Sequence, residues 1–372
     1  MSTLKTQGAV LAGPGQPWEM AELDLEPPRA NEVLIRFAAA GLCHSDEHVR
    51  SGDAPVRFPF VGGHEGAGVV EAVGPGVTRV AEGDHVVCSF IPVCGTCRYC
   101  STGRQNLCES GLNAAIGCLP DGTYRFRRDG EELGGMCVLG SFSQYAVLSE
   151  LSCVKIDRDV PFDVAALASC GVTTGWGSAV YAAGVRPGET VVIFGIGGVG
   201  INAVQGARYA GAKHVIAIDP VELKLDMAQK LGATHVFSDP ATAHEQVVQL
   251  TRGKLADHAI LTVGEMNAEV VRQGTDMVGK TGDVTVTGVG KSTETVVQLP
   301  GSPLTGWQKR IQGALFGAAN PLYDIPRLLG LYQAGDLKLD ELITRRYRLD
   351  QVNEGYRDML DGKNIRGVIM HD

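Results

Sequence analysis

Apolar positions along this chain come in two textures. Over the first 170 or so residues they form short runs, such as Glu32 to Ala38, Gly68 to Val73 and Asp84 to Cys88, broken by glycine and proline. That punctuation predicts irregular, strand-rich structure. From Glu189 onward, strand-like runs alternate with amphipathic stretches. The pattern predicts strands at Thr190–Phe194, His214–Ile218, His235–Phe237, His258–Val263, Asp283–Thr287 and Arg310–Phe316, with helices such as Val221–Leu231 and His244–Thr251 between them. Six strands joined this way form a doubly wound parallel sheet, so the chain reads as α/β. Beyond Gly317 a helix-like Ile325–Gln333 and a strand-like Gly367–Met370 are expected to return to the first part. No solenoid repeat interrupts this plan.

Length and composition narrow the class. At 372 residues the chain calls for about two cores, and 44% hydrophobic with 20% charged residues suits globular domains. A formal net charge of -9 speaks against nucleic acid as a partner. The small basic cluster Arg125, Arg127 and Arg128 reads as a solvated loop. The opening MSTLKTQGAV lacks a basic segment followed by an apolar core, so neither a secretory signal nor a lipid anchor is expected. The charge-free run Thr190 to Ala207 holds five glycines and suits strand-turn-helix structure better than a membrane span. A cytoplasmic protein without membrane contact is expected. In that reducing setting the ten cysteines point to metal ligands or buried thiols before disulfides.

Three sets of residues carry chemistry. Cys94, Cys97, Cys100 and Cys108 form C-x2-C-x2-C-x7-C, a spacing that lets four thiolates of one loop surround a tetrahedral zinc. Four protein ligands close the shell, so such a zinc is structural. A second, scattered set comprises Cys43 in Gly-Leu-Cys-His-Ser-Asp, His64 and Glu65 in Gly-Gly-His-Glu-Gly, and Cys170 in Ser-Cys-Gly-Val-Thr-Thr-Gly; each alone is a weak signal. The third is Gly195-Ile196-Gly197-Gly198-Val199-Gly200, a G-x-G-x-x-G directly after an apolar strand and opening a helix. Gly195 permits the turn, Gly197 admits a pyrophosphate to the backbone, and Gly200 allows helix to pack on strand. At the end of the next predicted strand stands Asp219, whose carboxylate can bond both hydroxyls of an adenosine ribose and would repel a 2′-phosphate, which favours NAD over NADP.

Taken together, these segments resemble the zinc-containing medium-chain alcohol dehydrogenases over essentially the whole chain. The resemblance implies a GroES-like catalytic domain at 1–171, completed by 316–372, and a Rossmann NAD-binding domain at 172–315. It implies two zincs per chain: a catalytic one on Cys43, His64 and Cys170, approached by Glu65 when the substrate position is empty, and a structural one on the four clustered cysteines. Asp46 would orient His64. The catalytic zinc would act as a Lewis acid toward a primary alcohol, lowering its pKa so that hydride can pass to NAD. Ser45 would take the alcohol proton and His48 relay it to solvent by way of the cofactor ribose. His44 and Arg366 would contact the cofactor pyrophosphate, Lys224 its ribose, and Thr174 the nicotinamide side.

Within the family, Cys97–Cys108, Cys170–Val180, Gly313–Pro326 and Asp361–Val368 are similar to the nitrosoaniline-dependent alcohol dehydrogenases. These are nicotinoproteins whose NAD stays bound, and they would hand electrons to a redox carrier. The glutathione-dependent formaldehyde dehydrogenases share the Cys-His-x-Asp start and the Pro120-Asp121-Gly122 loop, but this chain has Ser45 where they carry Thr, and Gly52–Pro59 lacks their acidic glutathione contacts. A non-catalytic NAD-binding regulatory module is the alternative of another class; here every catalytic ligand position is filled. The strand-like Arg310–Phe316 at a sheet edge would offer a pairing site for an expected homo-oligomer.

Overall fold

A computed structural model describes residues 2–371. The chain forms two contact units, one of Met1–Cys170 with Asn320–Asp372 and the other of Gly171–Ala319.

In the first unit Leu4–Leu11, Glu19–Leu25, Phe126–Arg128, Glu131–Gly135 and Phe60–Val61 close into a barrel. A seven-stranded sheet runs Cys153–Lys155, His85–Cys88, Gly66–Val73, Glu32–Gly41, Arg366–Met370 and Ile343–Arg348, with Tyr145–Ser149 also paired to Glu32–Gly41. Alternation drives this packing: Val33, Ile35 and Phe37 point inward and join Leu23, Leu25 and Leu148 in one core. Each such side chain contributes about 1.5–3 kcal/mol by leaving water. The closing strand lies antiparallel to the end of Glu32–Gly41, with Val368 opposite Gly41. That register carries Arg366 in beside the loops that follow these strands.

The basic cluster departs from its expected solvated loop. Arg125 is 2% exposed and donates Nε to Glu32 Oε2 at 2.8 Å. Arg127 pairs with Glu26 and Glu132, and Arg128 with Glu19. Glu32, Glu26 and Glu19 are remote in sequence, so strand pairing rather than local composition engages these cations and buries Arg125.

The second unit is a six-stranded parallel sheet in the order His235–Phe237, His214–Ile218, Thr190–Phe194, Ala256–Leu261, Val278–Val286 and Arg310–Gly313. Thr190–Phe194, paired on both sides, is buried throughout. Three strands differ from expectation at their ends. The fourth begins at Ala256, right after Leu255 at φ 67, and has ended before Thr262, whose hydroxyl donates to Phe194 and Gly195 carbonyls. The fifth starts early, at Val278, because a register shift between Ala256 and His258 extends the pairing. The last stops at Gly313, since Phe316 and Gly317 take left-handed conformations. Likewise the helix at Pro240–Leu250 starts a turn before expectation, where Asp239 caps it by accepting the Thr242 N–H at 2.9 Å. Among the described residues, no helix is long and apolar enough to cross a membrane.

Candidate functional site

Cys43, His64, Glu65 and Cys170 converge in the first unit, each offering a ligand atom within 4.8 Å of the others. Three loops deliver them. Cys43 lies between the strand ending at Gly41 and the helix His44–Ser51; His64 and Glu65 sit between Phe60–Val61 and Gly66–Val73; Cys170 follows the helix Phe162–Ala168. All four are at most 8% exposed.

The surroundings hold this set in place. Asp46, fully buried, stands 3.0 Å from His64 Nδ1 and accepts the Gly63 N–H at 3.2 Å on its other oxygen. That arrangement leaves His64 Nε2 for the sulfur side, the orientation a metal-bound imidazole needs. Glu65 is paired with the guanidinium of Arg366. Burial pushes the Glu65 carboxyl up to about 7 despite that cation. Gly41 makes room for the pair, because a Cβ there would stand 1.9 Å from Glu65 Oε2 and 2.9 Å from Arg366 Nη2. Neither this role of Gly41 nor the Glu65 pairing of Arg366 is anticipated by any motif.

Charge inside the cluster suits a cation. A hydrogen bond from Cys170 holds the Cys43 thiol well below its usual range and pushes Cys170 well above. Burial opposes a charged His64, yet Asp46 and Cys43 raise its pKa well above the ordinary value. Without a metal, the cluster therefore retains protons on Cys170 and His64. A divalent cation taking their place would meet two thiolates and an imidazole, a donor set that fits zinc.

Ser45 places its hydroxyl oxygen 3.7 Å from Cys43 Sγ. One turn on, His48 is buried with Nδ1 at 3.3 Å from Asp53 Oδ2, and the His44 ring meets it edge-on at 5.0 Å. Asp53 carries no motif of its own; the helix-ending Gly52 before it is the sequence signal that would have found it.

In the four-cysteine loop all four sulfurs lie within 4.8 Å of one another. Backbone N–H groups of Cys97 and Cys94 point at Cys94 and Cys108 sulfurs, both at 3.3 Å. Although burial pushes it up, N–H groups of Thr96 and Cys97 bring the Cys94 thiol down to about 6. Burial drives Cys100 up to about 12. Among the described residues all ten cysteines are free thiols.

In the second unit the glycine motif joins Thr190–Phe194 to the helix Gly198–Tyr209. Gly195 has φ 81, and a Cβ on Gly200 would lie 1.9 Å from the Gly195 carbonyl oxygen. The fold itself thus demands these two. A Cβ on Gly197 would meet nothing within 4 Å, so the open space above it is where a pyrophosphate could approach the backbone and the helix N-terminus. Val199, in the first turn of that helix, is half-buried. Asp219 accepts the N–H groups of Ile196 at 2.7 Å and Val221 at 2.9 Å, which locks the acid against the glycine turn. Lys224 Nζ lies 3.6 Å from Asp219. Thr174 keeps its hydroxyl buried and without a hydrogen-bond partner among the described residues.

Comparison with known proteins agrees with this geometry. Residues 29–158 match the family model of the alcohol dehydrogenase GroES-like domain and residues 198–334 that of zinc-binding dehydrogenases. The chain is 56% identical, over 99% of both chains, to the NDMA-dependent alcohol dehydrogenase of Amycolatopsis methanolica. It is 49% identical to alcohol dehydrogenase B of Mycobacterium tuberculosis, again over 99% of each. The crystal structure of benzyl alcohol dehydrogenase from Acinetobacter calcoaceticus matches with a TM-score of 0.91 at 33% identity, covering 99% of this chain and 100% of that one. Such identity over the full length, joined to two thiol clusters and a dinucleotide turn, means that this chain belongs to the zinc-containing medium-chain alcohol dehydrogenases and sides with their nitrosoaniline-dependent branch.

Proposed function

We propose that this alcohol dehydrogenase exchanges hydride between a primary alcohol or its aldehyde and NAD, with one zinc at Cys43, His64 and Cys170 and a second in the four-cysteine loop. The observation that carries the reading is the buried cluster of two thiols, an imidazole and a carboxylate within 4.8 Å, backed by Asp46. Zinc, when bound, supplies Lewis acidity that eases loss of the alcohol proton, and NAD accepts the hydride. Ser45 takes that proton beside Cys43, and His48 moves it outward. Thr174 orients the nicotinamide side. Gly195, Gly197, Gly198, Val199 and Gly200 cradle the pyrophosphate with His44 and Arg366, and Asp219 with Lys224 holds the ribose.

The NAD remains bound between turnovers, so alcohol and acceptor take turns on one cofactor and a redox carrier removes the electrons. Ten free thiols support a reducing, cytoplasmic setting. The sheet edge at Arg310–Gly313 supports pairing with a second copy. The test is to dialyse the protein extensively, count zinc, denature it and quantify released NAD and NADH. We expect two zincs, close to one nicotinamide per chain, and alcohol-driven bleaching of a nitrosoaniline dye that added NAD barely accelerates. Empty protein turning over with free NAD removes the retention and leaves the zinc assignments standing. Asp219→Gly checks cofactor choice separately and should weaken NAD while relatively improving NADP.

A further inference from the structure

The helix His44–Ser51 ends in a way that bears on its own histidine. Gly52 stops it at φ 87, and backbone bonds close the end, among them the pair Gly52 N–H to Val49 O at 3.1 Å and Asp53 N–H to His48 O at 2.8 Å. This nested pair reverses the chain, so that the residue after the glycine returns over the one five places earlier. An apolar contact ordinarily joins those two positions. Here they are Asp53 and His48, and their side chains meet instead through a carboxylate and an imidazole, Nδ1 to Oδ2 at 3.3 Å. The His48 side chain is 6% exposed and that of Asp53 18%. Ser51 donates its hydroxyl to the same Oδ2 at 2.8 Å, fixing the carboxylate from the other side. The nearby cation Arg50 is engaged elsewhere, with Nε at 2.7 Å from Glu47 Oε2 and Nη2 at 2.5 Å from Oε1.

A carboxylate against Nδ1 places the neutral ring's proton on that nitrogen and leaves Nε2 as the acceptor. Around this ring stand, among others, Asp53 with its partner Ser51 from the turn and His44 from the helix. We infer that Asp53 is a positioning residue of the proton relay: it acts through His48, holding the ring and its tautomer so that Nε2 receives the proton released by the alcohol. The inference rests on the relay through Ser45 and His48 proposed above.

The test is a double-mutant cycle on the NAD-loaded protein, reading the single-turnover rate of alcohol oxidation by NADH absorbance across pH, with and without a small external base such as imidazole. Thermal unfolding of each variant monitors the fold. A positioned general base contributes about 100-fold or more, so its orienting partner should account for a smaller share, about 10-fold. We expect Asp53→Asn to slow turnover by that amount with KM unchanged, to be relieved by imidazole, and to add nothing in a His48→Gln background. Ser51→Ala should shift the rate in the same direction by less. An Asp53→Asn rate within about twofold of the parent, while His48→Gln is slow and base-rescued, overturns the inference and leaves the relay. So does a double variant whose losses multiply, because that is the mark of an independent structural role. An unaltered pH–rate profile in His48→Gln removes the relay itself, and Asp53 with it.

Discussion

The four-cysteine loop draws its ligands from one stretch, Cys94 to Cys108, leaves Cys94 and Cys97 half-exposed, and turns backbone N–H groups onto the sulfurs. The cluster of Cys43, His64, Glu65 and Cys170 draws on three distant loops and is buried throughout, and side chains rather than backbone hold it: Asp46 behind His64, Arg366 against Glu65. In the loop a metal would substitute for a core, since the apolar packing among its cysteines amounts to little more than Val93. In the buried cluster the fold exists already, made by the barrel and the sheet, and a metal's role there would be chemical. Deleting a ligand should therefore have opposite consequences in the two places.

The largest expected effect breaks or secures that contrast directly. Cys43→Ala should lower alcohol oxidation by roughly 1,000-fold or more, the loss of a Lewis acid worth several kcal/mol, in a protein that folds normally and keeps one zinc. Cys97→Ala should instead reduce soluble yield and thermal stability. Metal analysis with thermal unfolding of both variants decides it; equal zinc loss and equal destabilisation would erase the distinction between the sites.

Next in size is the pH dependence of the loop, measured in the Cys43→Ala protein so that a single zinc is read. With Cys94 held at about 6, zinc displaces no proton from it above that pH; with Cys100 pushed up to about 12, zinc must displace one there at any ordinary pH. Binding then releases at least one proton, and apparent affinity should rise about 10-fold per pH unit, or about 100-fold between pH 6.5 and 8.5. Chelator competition across that range reads the slope, and affinity flat with pH would contradict the protonated Cys100.

The contrast also explains what the sequence disclosed. The loop's ligands are a few residues apart, so spacing alone carries the site, and the glycine motif is legible for the same reason: a turn and a helix start are local. Cys43, His64 and Cys170 become a set only through resemblance, because the pairing of Glu32–Gly41 with Gly66–Val73 and with the closing strand brings their loops together. That same long-range pairing hid the burial of Arg125 against Glu32 and the meeting of Arg366 with Glu65. Apart from the early start at Val278, which comes from sheet pairing, the strand and helix ends that moved had local causes that apolar periodicity does not carry, the left-handed Leu255 and Phe316 and the cap at Asp239. Asp53 was missed for a third reason: Gly52 could have marked a helix stop, but the side-chain contact that the stop creates exists only after the chain has reversed.

A smaller effect sharpens the account of the buried cluster. Asp46→Asn keeps the shape and can still accept the Gly63 N–H, yet removes the negative charge from His64 Nδ1. Partners of metal-bound histidines are worth about 10- to 100-fold in metal affinity, so the variant should release the zinc of the buried cluster to chelator that much more readily. Loop zinc should be unaffected. Retention of both metals at parental affinity would mean that burial alone, without Asp46, orients His64.

The smallest effect comes from the corresponding contact in the loop. Thr96 places its hydroxyl 3.8 Å from Cys94 Sγ, so it stands to a cysteine as Asp46 stands to His64, but on an exposed residue. Water can replace the hydroxyl once it is gone, and the two backbone N–H groups that lower the Cys94 pKa remain in place. A replaceable neutral hydrogen bond contributes about 0.5 kcal/mol at the low end of the usual range, which converts to about a twofold change in zinc affinity for Thr96→Ala. Chelator competition should therefore separate Thr96→Ala from Asp46→Asn by about fivefold or more. A Thr96→Ala loss as large as that of Asp46→Asn would show that side chains, and not backbone N–H groups, sustain the loop's thiolates. The difference drawn between the two clusters would then reduce to burial alone.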